Sequence, residues 1–259
     1  MITFTIITCT YNAASVLQRT LDSVLKQTYQ DVEHIILDGK STDNTLHIAD
    51  KYKQESDAVE DTRHQVIVVS EPDKGLYDAM NKGIDKATGS YIVFLNAGDV
   101  FPSEDTLETI ANSVGEGEEL PGVLYGETDI VDENGTFIRH RRLKAPEKLS
   151  WRSFKRGMLV CHQAFYARTD IARENHYNLN YCLSADVDWC IRVMKTAKEK
   201  QLPLCNVNAV IVNFLDGGMS IQNHKASLKE RFRIMSCHYG LVQTSLMHLW
   251  FIIRSLLKK

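Results

Sequence analysis

The sequence predicts an α/β protein built on one mainly parallel sheet, flanked by helices, with a helical appendage at its C-terminal end. Three observations carry this. Short apolar runs alternate with segments of helical periodicity through the first hundred residues. The runs are apolar at nearly every position, as in strands covered on both faces, where half-exposed strands would alternate. Each run also stops at a polar cluster of the kind that lies beyond strand ends.

In order, Thr3–Thr8 reads as the first strand, and Leu17, Leu21, Val24 and Leu25 recur at helical spacing after it. Val32–Leu37 is a second strand, followed by a helix from about Thr42 to Ser56. Val66–Ser70 and a helix from about Leu76 to Ala87 repeat the unit, and Tyr91–Leu95 is a fourth strand stopped by Asn96. Ligands of open parallel sheets bind beyond the carboxyl ends of the strands. Thr8–Asn12, Asp38–Asp43, Ser70–Gly75 and Asn96–Asp99 are therefore expected to converge on one cleft.

The second half is patterned differently. Gly122–Glu127 reads as a strand, and Asp129–Arg141 as a hairpin turning at Asn134-Gly135. Cys161–Tyr166 reads as a strand, Asp186–Lys198 as a helix and Asn206–Phe214 as a strand. No internal repeat or low-complexity linker interrupts the chain. The expected division is a catalytic unit over 1–225, with a nucleotide-binding half (1–102) and an acceptor-side half (103–225), and a helical tail over 226–259.

Composition narrows the function. The chain has 259 residues, 44% hydrophobic and 24% charged, and a formal net charge of -3. This is ordinary for a globular protein and carries no broad basic excess, so a general nucleic-acid binder is not expected. The six cysteines form no C-x-x-C pair and sit mostly in apolar runs, as reduced, buried thiols do. No apolar run reaches the roughly 18 residues of a membrane span, and residues 2–9 read as a strand with no basic segment before them. The expected location of the catalytic part is the cytoplasm, with peripheral contact at the inner face of the cell membrane through the tail. There Leu246, Leu249, Trp250, Ile253, Leu256 and Leu257 share a helical face, with Arg254, Lys258 and Lys259 near the end. That pattern suits a helix lying on an anionic membrane. It suits equally a helix packed on the domain or on a second subunit, as in a homodimer.

Two carboxylates stand out at predicted strand ends. Asp38 ends the second strand and Asp99 follows the fourth. Each alone reads as a loop aspartate capping a helix. Together, on neighbouring parallel strands, they suit a diphosphate held through Mg²⁺ or Mn²⁺, and such a metal also stabilises a departing nucleoside diphosphate.

Four segments, in order, resemble family 2 glycosyltransferases of the GT-A fold, and among them the small bacterial polysaccharide enzymes. They are Ile6-Ile7-Thr8-Cys9-Thr10-Tyr11-Asn12, Leu37-Asp38-Gly39-Lys40-Ser41-Thr42-Asp43, Glu71-Pro72-Asp73-Lys74-Gly75-Leu76-Tyr77-Asp78-Ala79-Met80-Asn81, and Phe94-Leu95-Asn96-Ala97-Gly98-Asp99. The last sits where that family carries its D-x-D metal motif. The resemblance implies that Thr8 and Tyr11 border the nucleotide base, with Tyr11 stacked on it. It implies that Asp38 accepts a hydrogen bond from the base, which favours uracil and hence UDP. Lys74 falls near the ribose and diphosphate, and Asn96 in the donor-binding segment. Asn96 and Gly98 stand at positions that are often acidic, which leaves Asp99 as the metal ligand. Tyr77, Asp78 and Asn81 lie on the following helix and read as structural.

In the second half, Leu183-Ser184-Ala185-Asp186-Val187-Asp188-Trp189 resembles the family's E-D segment, with alanine at the glutamate position. Asp186 then matches the base that deprotonates the acceptor hydroxyl, in a cleft that can position it and raise its pKa, and reads equally as a helix N-cap. Asp188 would orient or support it. His162, in Cys161-His162-Gln163, reads equally as a contact to diphosphate, metal or acceptor and as a core histidine. Gly217 and Gly218, in Asp216-Gly217-Gly218-Met219, read equally as a phosphate-approaching turn and as a plain turn. The basic run Arg139–Lys144 reads first as a solvated strand edge, and second as a contact to a phosphorylated lipid carrier.

The implied activity is inverting transfer of a hexosyl group from a nucleotide-sugar to a hydroxyl of a glycan or lipid-linked acceptor, in surface polysaccharide synthesis. Two other classes stay open on residues alone. A sugar nucleotidyltransferase would need a glycine-rich basic loop after the first strand, and Thr8–Ser15 has neither glycine nor Lys or Arg. A non-catalytic sugar-nucleotide-binding protein would account for the depleted metal segment.

Overall fold

The computed structural model describes residues 2–59, 63–115, 119–217 and 223–256. Its centre is an eight-stranded mixed sheet of order β3-β2-β1-β4-β7-β5-β6, with β8 paired to β5. The first half follows the predicted alternation. The strands are β1 (Phe4–Thr10), β2 (Val32–Asp38), β3 (Gln65–Ser70) and β4 (Tyr91–Phe94), all parallel. Between them run α1 (Ala14–Leu25), α2 (Thr45–Asp57) and α3 (Leu76–Lys86). Every residue of β1, β2 and β4 is buried, which is why their sequences lack alternation.

The register aligns the strand ends. Thr10 pairs with Asp38, and Asp38 with Ser70, while Phe94 of β4 pairs with Ile7. Three consecutive loops therefore leave the sheet at one level, and the β4 loop begins slightly below them. α3 lies close against the sheet: a Cβ at Gly83 would stand 2.6 Å from Ile7 Cγ2.

After α4 (Thr106–Asn112) the direction changes. β7 (Phe165–Arg168) runs antiparallel to both β4 and β5 (Val123–Val131), so β5 again points the same way as β1. β6 (Phe137–His140) folds back on β5 through a turn in which Gly135, at φ 82°, and not Asn134, takes the positive φ. β8 (Leu204–Leu215) pairs along the length of β5 in parallel. The segment Cys161–Ala164, expected as strand, is instead a short 3-10 turn over His162–Ala164. Its cause is a buried glutamine: Gln163 turns inward to bond Asp99 and receives the Cys161 thiol.

α5 (Thr169–Glu174) and α6 (Ala185–Glu199) complete the central layer, and a 3-10 helix spans Trp151–Arg156. The C-terminal segment, expected as a helical tail, is two helices broken at Gly240: α7 (His224–Tyr239) and α8 (Leu241–Leu256). α7 packs on α6. His238 Nε2 lies 2.7 Å from Asp188 Oδ1, and the Tyr239 ring stacks on Trp151 at 5.7 Å. Among the described residues, no helix is long and apolar enough to cross a membrane.

Candidate active site

Three loops meet at the carboxyl edge of β1, β2 and β3. Asp38 is buried, and its Oδ2 accepts the Ser70 hydroxyl at 2.6 Å. The Ser41 N–H points at the same carboxylate, 3.2 and 3.3 Å from its two oxygens. Asn12 ties the β1 loop to the β2 loop, accepting the Thr42 N–H at 2.8 Å while its own N–H donates to Ser41. A Cβ at Gly39 would lie 2.5 Å from Asp73 Oδ2 and 3.5 Å from Tyr11 Cδ2, so these three residues face one another. Tyr11 is 64% exposed. Lys74 is exposed on the loop after β3, with its N–H held by Asp78 at 3.0 Å.

Thr8 lies deeper. It is fully buried, donates to Leu95 O at 2.8 Å, and sits 2.9 Å from His34 Nε2. Its one proton goes to Leu95, so His34 must donate to it, and His34 Nδ1 then accepts from Tyr52. Thr8 is thereby a bolt between β1, β2 and the β4 loop, and its hydroxyl is not offered to a ligand.

A second cluster stands beside the first, after β4. Asp186, the second residue of α6, approaches His162, with Oδ2 3.5 Å from Nδ1. Its Oδ1 accepts the Tyr77 hydroxyl at 3.4 Å. On its other side His162 Nε2 lies 3.4 Å from Asn96 Nδ2. Tyr77, Tyr177 and Trp189 stack beneath, with ring centroids 5.2 and 5.0 Å apart, and Asn81 bonds both the N–H and C=O of Tyr177. Burial pushes the Asp186 carboxyl up. The hydrogen bond and charge of His162, with Arg231 and the Val187 N–H, more than offset it and hold the net value below the ordinary range. The cleft therefore lowers this pKa, against the rise expected from sequence.

Asp99, expected to ligate a metal, is 3% exposed. Its Oδ1 accepts the Leu215 N–H at 2.9 Å and its Oδ2 the Gln163 amide at 3.0 Å. Burial pushes its carboxyl up to about 6, against the pull of those two donors. The neighbouring position cannot supply a second carboxylate: Gly98 has φ 100°, and a Cβ there would stand 2.5 Å from Leu215 Cδ2. Among the described residues, no group of three or more His, Cys, Asp or Glu is placed to hold a metal ion. The residues present do not fit a cation ligated by Asp99; this carboxylate fastens the loop to β8 and the 3-10 turn. The buried oxygen left without a partner in this loop is Asn96 Oδ1.

Asp188 is also committed elsewhere. It is bonded to Arg192 Nε and His238 Nε2, each at 2.7 Å, and joins α6 to α7. Gly217 has φ 94° and open space where a Cβ would be, while Gly218 lies outside the described residues. In the basic run, Arg139 pairs with Asp216, His140 with Asp129, and Arg141 donates to three backbone carbonyls. Glu230, central to how the site is held, carries no sequence signal: its partners are 46 to 48 residues away.

Comparison with known proteins identifies the family. The model of "Glycosyl transferase family 2" matches residues 5–174. The chain belongs to glycosyltransferase family 2. Within it, the chain is 38% identical over 194 residues to a PGL/p-HBAD biosynthesis glycosyltransferase of Mycobacterium tuberculosis, covering 73% of this chain and 68% of that one. It is 28% identical over 204 residues to the amylovoran biosynthesis glycosyltransferase AmsB of Erwinia amylovora, covering 75% and 64%. Its fold is that of GT-A glycosyltransferases. The S. aureus TarS 1–349 fragment in complex with UDP-GlcNAc matches with TM-score 0.68 at 17% identity, covering 90% of this chain and 65% of that one. The mannosyltransferase PcManGT of Pyrobaculum calidifontis, in complex with GDP-Man and Mn²⁺, matches with TM-score 0.65 at 15% identity, covering 95% and 70%. The protein is thus a glycosyltransferase.

Proposed function

We propose that this family 2 glycosyltransferase moves a hexosyl group from a UDP-sugar to a hydroxyl of a glycan or lipid-linked acceptor, with inversion. The observation that supports it best is the Asp186 carboxylate, held ionised by His162 beside the loop that follows β4. In one displacement, the acceptor O–H proton passes to Asp186 as its oxygen bonds to the anomeric carbon. The bond from that carbon to the diphosphate oxygen breaks, and UDP leaves with the electron pair. No enzyme nucleophile takes part. Tyr11 stacks on the base, and Asp38, oriented by Ser70 and Ser41, accepts its N–H. Lys74 meets the diphosphate from the exposed loop. No step of this displacement is routed through a metal on Asp99, which is buried and bonded to Leu215 and Gln163.

The exposed face of α8 supports peripheral membrane contact. Val242, Leu246, Leu249, Trp250 and Ile253 are all exposed on that helix. Beyond Glu230 the sequence contains Arg231, Arg233, Arg254, Lys258 and Lys259 and no Asp or Glu. An exposed apolar face in a segment whose sequence is basic suits an anionic lipid surface better than a second copy of the same basic segment.

The donor and stereochemical readings are tested together with a panel of UDP- and GDP-sugars, reading nucleoside diphosphate release and the product's anomeric configuration by NMR. Turnover of a UDP-sugar with inversion is expected. Exclusive use of GDP-sugars contradicts the donor assignment, and retention contradicts single displacement.

A further inference from the structure

The C-terminal helices were expected as an appendage, yet α7 reaches the segment that carries Asp186. The Glu230 carboxylate accepts three consecutive backbone N–H groups: Cys182 at 2.7 Å on Oε1, and Leu183 and Ser184 at 2.7 and 2.6 Å on Oε2. These amides immediately precede α6, whose second residue is Asp186. Ser184, at the start of that helix, makes no side-chain cap of its own. Its hydroxyl lies 3.0 Å from the Ser227 hydroxyl and 3.4 Å from Arg231 Nε, both on α7. Ser184 and Ser227 are buried. By accepting these amides, a carboxylate from another helix fixes the residues that lead into α6 and places negative charge at that helix's N-terminus. Charge-assisted bonds of this kind are stronger than neutral ones and fix geometry. Arg231, the next residue, also helps hold the Asp186 carboxyl below its ordinary range.

We propose that Glu230 is a positioning residue for glycosyl transfer. It fixes Cys182–Ser184, and through them sets the Asp186 carboxylate against His162. The proposal rests on Asp186 being the base. A contact that only stabilised the fold would leave the chemical step of folded enzyme untouched. A positioning contact changes it, because small displacements of a general base carry large rate penalties.

The test compares full-length wild type with Glu230→Ala, Glu230→Gln and Asp186→Asn. It measures UDP affinity by calorimetry, kcat and KM for both substrates, and hydrogen–deuterium exchange over 182–184. In Glu230→Ala, UDP affinity should stay within about 2-fold while kcat falls about 10- to 100-fold, and the three amides should lose protection. Glu230→Gln keeps one acceptor oxygen and should recover part of kcat. Wild-type kcat alongside lost protection at 182–184, in either variant, overturns the proposal. So does a fall in kcat matched by an equal fall in UDP affinity. Should Glu230→Ala fail to fold, the same two outcomes in Glu230→Gln overturn it. Full turnover by Asp186→Asn would instead remove the base assignment itself, whatever the Glu230 variants do.

Discussion

His162 Nδ1 lies 3.5 Å from Asp186 Oδ2, and this contact helps hold the carboxyl below its ordinary range. Burial works to raise the Asp186 pKa above its ordinary 3.8; His162, Arg231 and the Val187 N–H bring the net shift below it. A carboxyl with a lowered pKa stays ionised as pH falls from 8 to 5, so wild-type kcat should show no acid limb from this group in that range. His162→Ala removes the largest opposing contribution and leaves burial to dominate. The acid limb of kcat should then move to higher pH, and a pH–rate profile reads it directly. An unmoved profile would separate the two residues functionally.

Asp188 links α6 to α7 through His238 and Arg192. Burial raises its pKa, but the bonds to His238 and Arg192 lower it further, so the net shift is downward. A carboxyl lowered by folding contributes stability that is present above the unfolded pKa and lost as pH falls through the folded one. Asp188→Asn should therefore cost about 2–4 kcal/mol at pH 7. The difference from wild type should shrink as pH drops below about 4. Urea unfolding at pH 7 and at pH 3.5 measures both, and an equal difference at the two values would contradict the assignment.

Asp99 is read as a structural fastener, its oxygens taken by Leu215 and Gln163. Asp99→Asn should leave the effect of Mn²⁺ on UDP affinity within about 2-fold of wild type, since a loosened loop and not a lost ligand is the consequence. Its thermal midpoint should fall. Calorimetric UDP titrations with and without Mn²⁺ decide this, and loss of any Mn²⁺ effect with an unchanged midpoint would restore Asp99 as a ligand.

The exposed apolar residues of α8 predict a separable function. Deleting 241–259 should abolish sedimentation with anionic phospholipid vesicles while leaving UDP affinity within about 2-fold, because α7 and its contacts to α6 are kept. Retained vesicle binding would point the α8 face toward another partner. A lower oligomeric state in the truncated protein would identify that partner as a second copy.

The parallel half was legible because its signals are local. β1, β2 and β4 are buried throughout and so read as near-continuous apolar runs, broken in β2 by Glu33 and His34, and the polar residues after them mark the loops. Asp38 was legible for the same reason, being the last residue of its strand. What escaped the sequence depends on partners far along the chain. Cys161–Ala164 looks like strand, yet becomes a 3-10 turn because Gln163 bonds Asp99, 64 residues away. The carboxylate of Asp99 marks the right loop, but only the packing of Leu215 against Gly98 reveals that it is closed off. The hold of Glu230 on Cys182–Ser184 has no counterpart in periodicity or motif, since it is made by one side chain reaching across two helices.

The central claim is that Asp186 takes the acceptor's proton while the donor is held independently by the loops after β1, β2 and β3. The most direct measurement is on Asp186→Asn, comparing UDP affinity by calorimetry with transfer to acceptor from the donor identified by the nucleotide-sugar panel. The account predicts UDP affinity within about 2-fold of wild type and a loss of kcat of about 100-fold or more. Turnover at or near the wild-type rate, with UDP affinity unchanged, would contradict it.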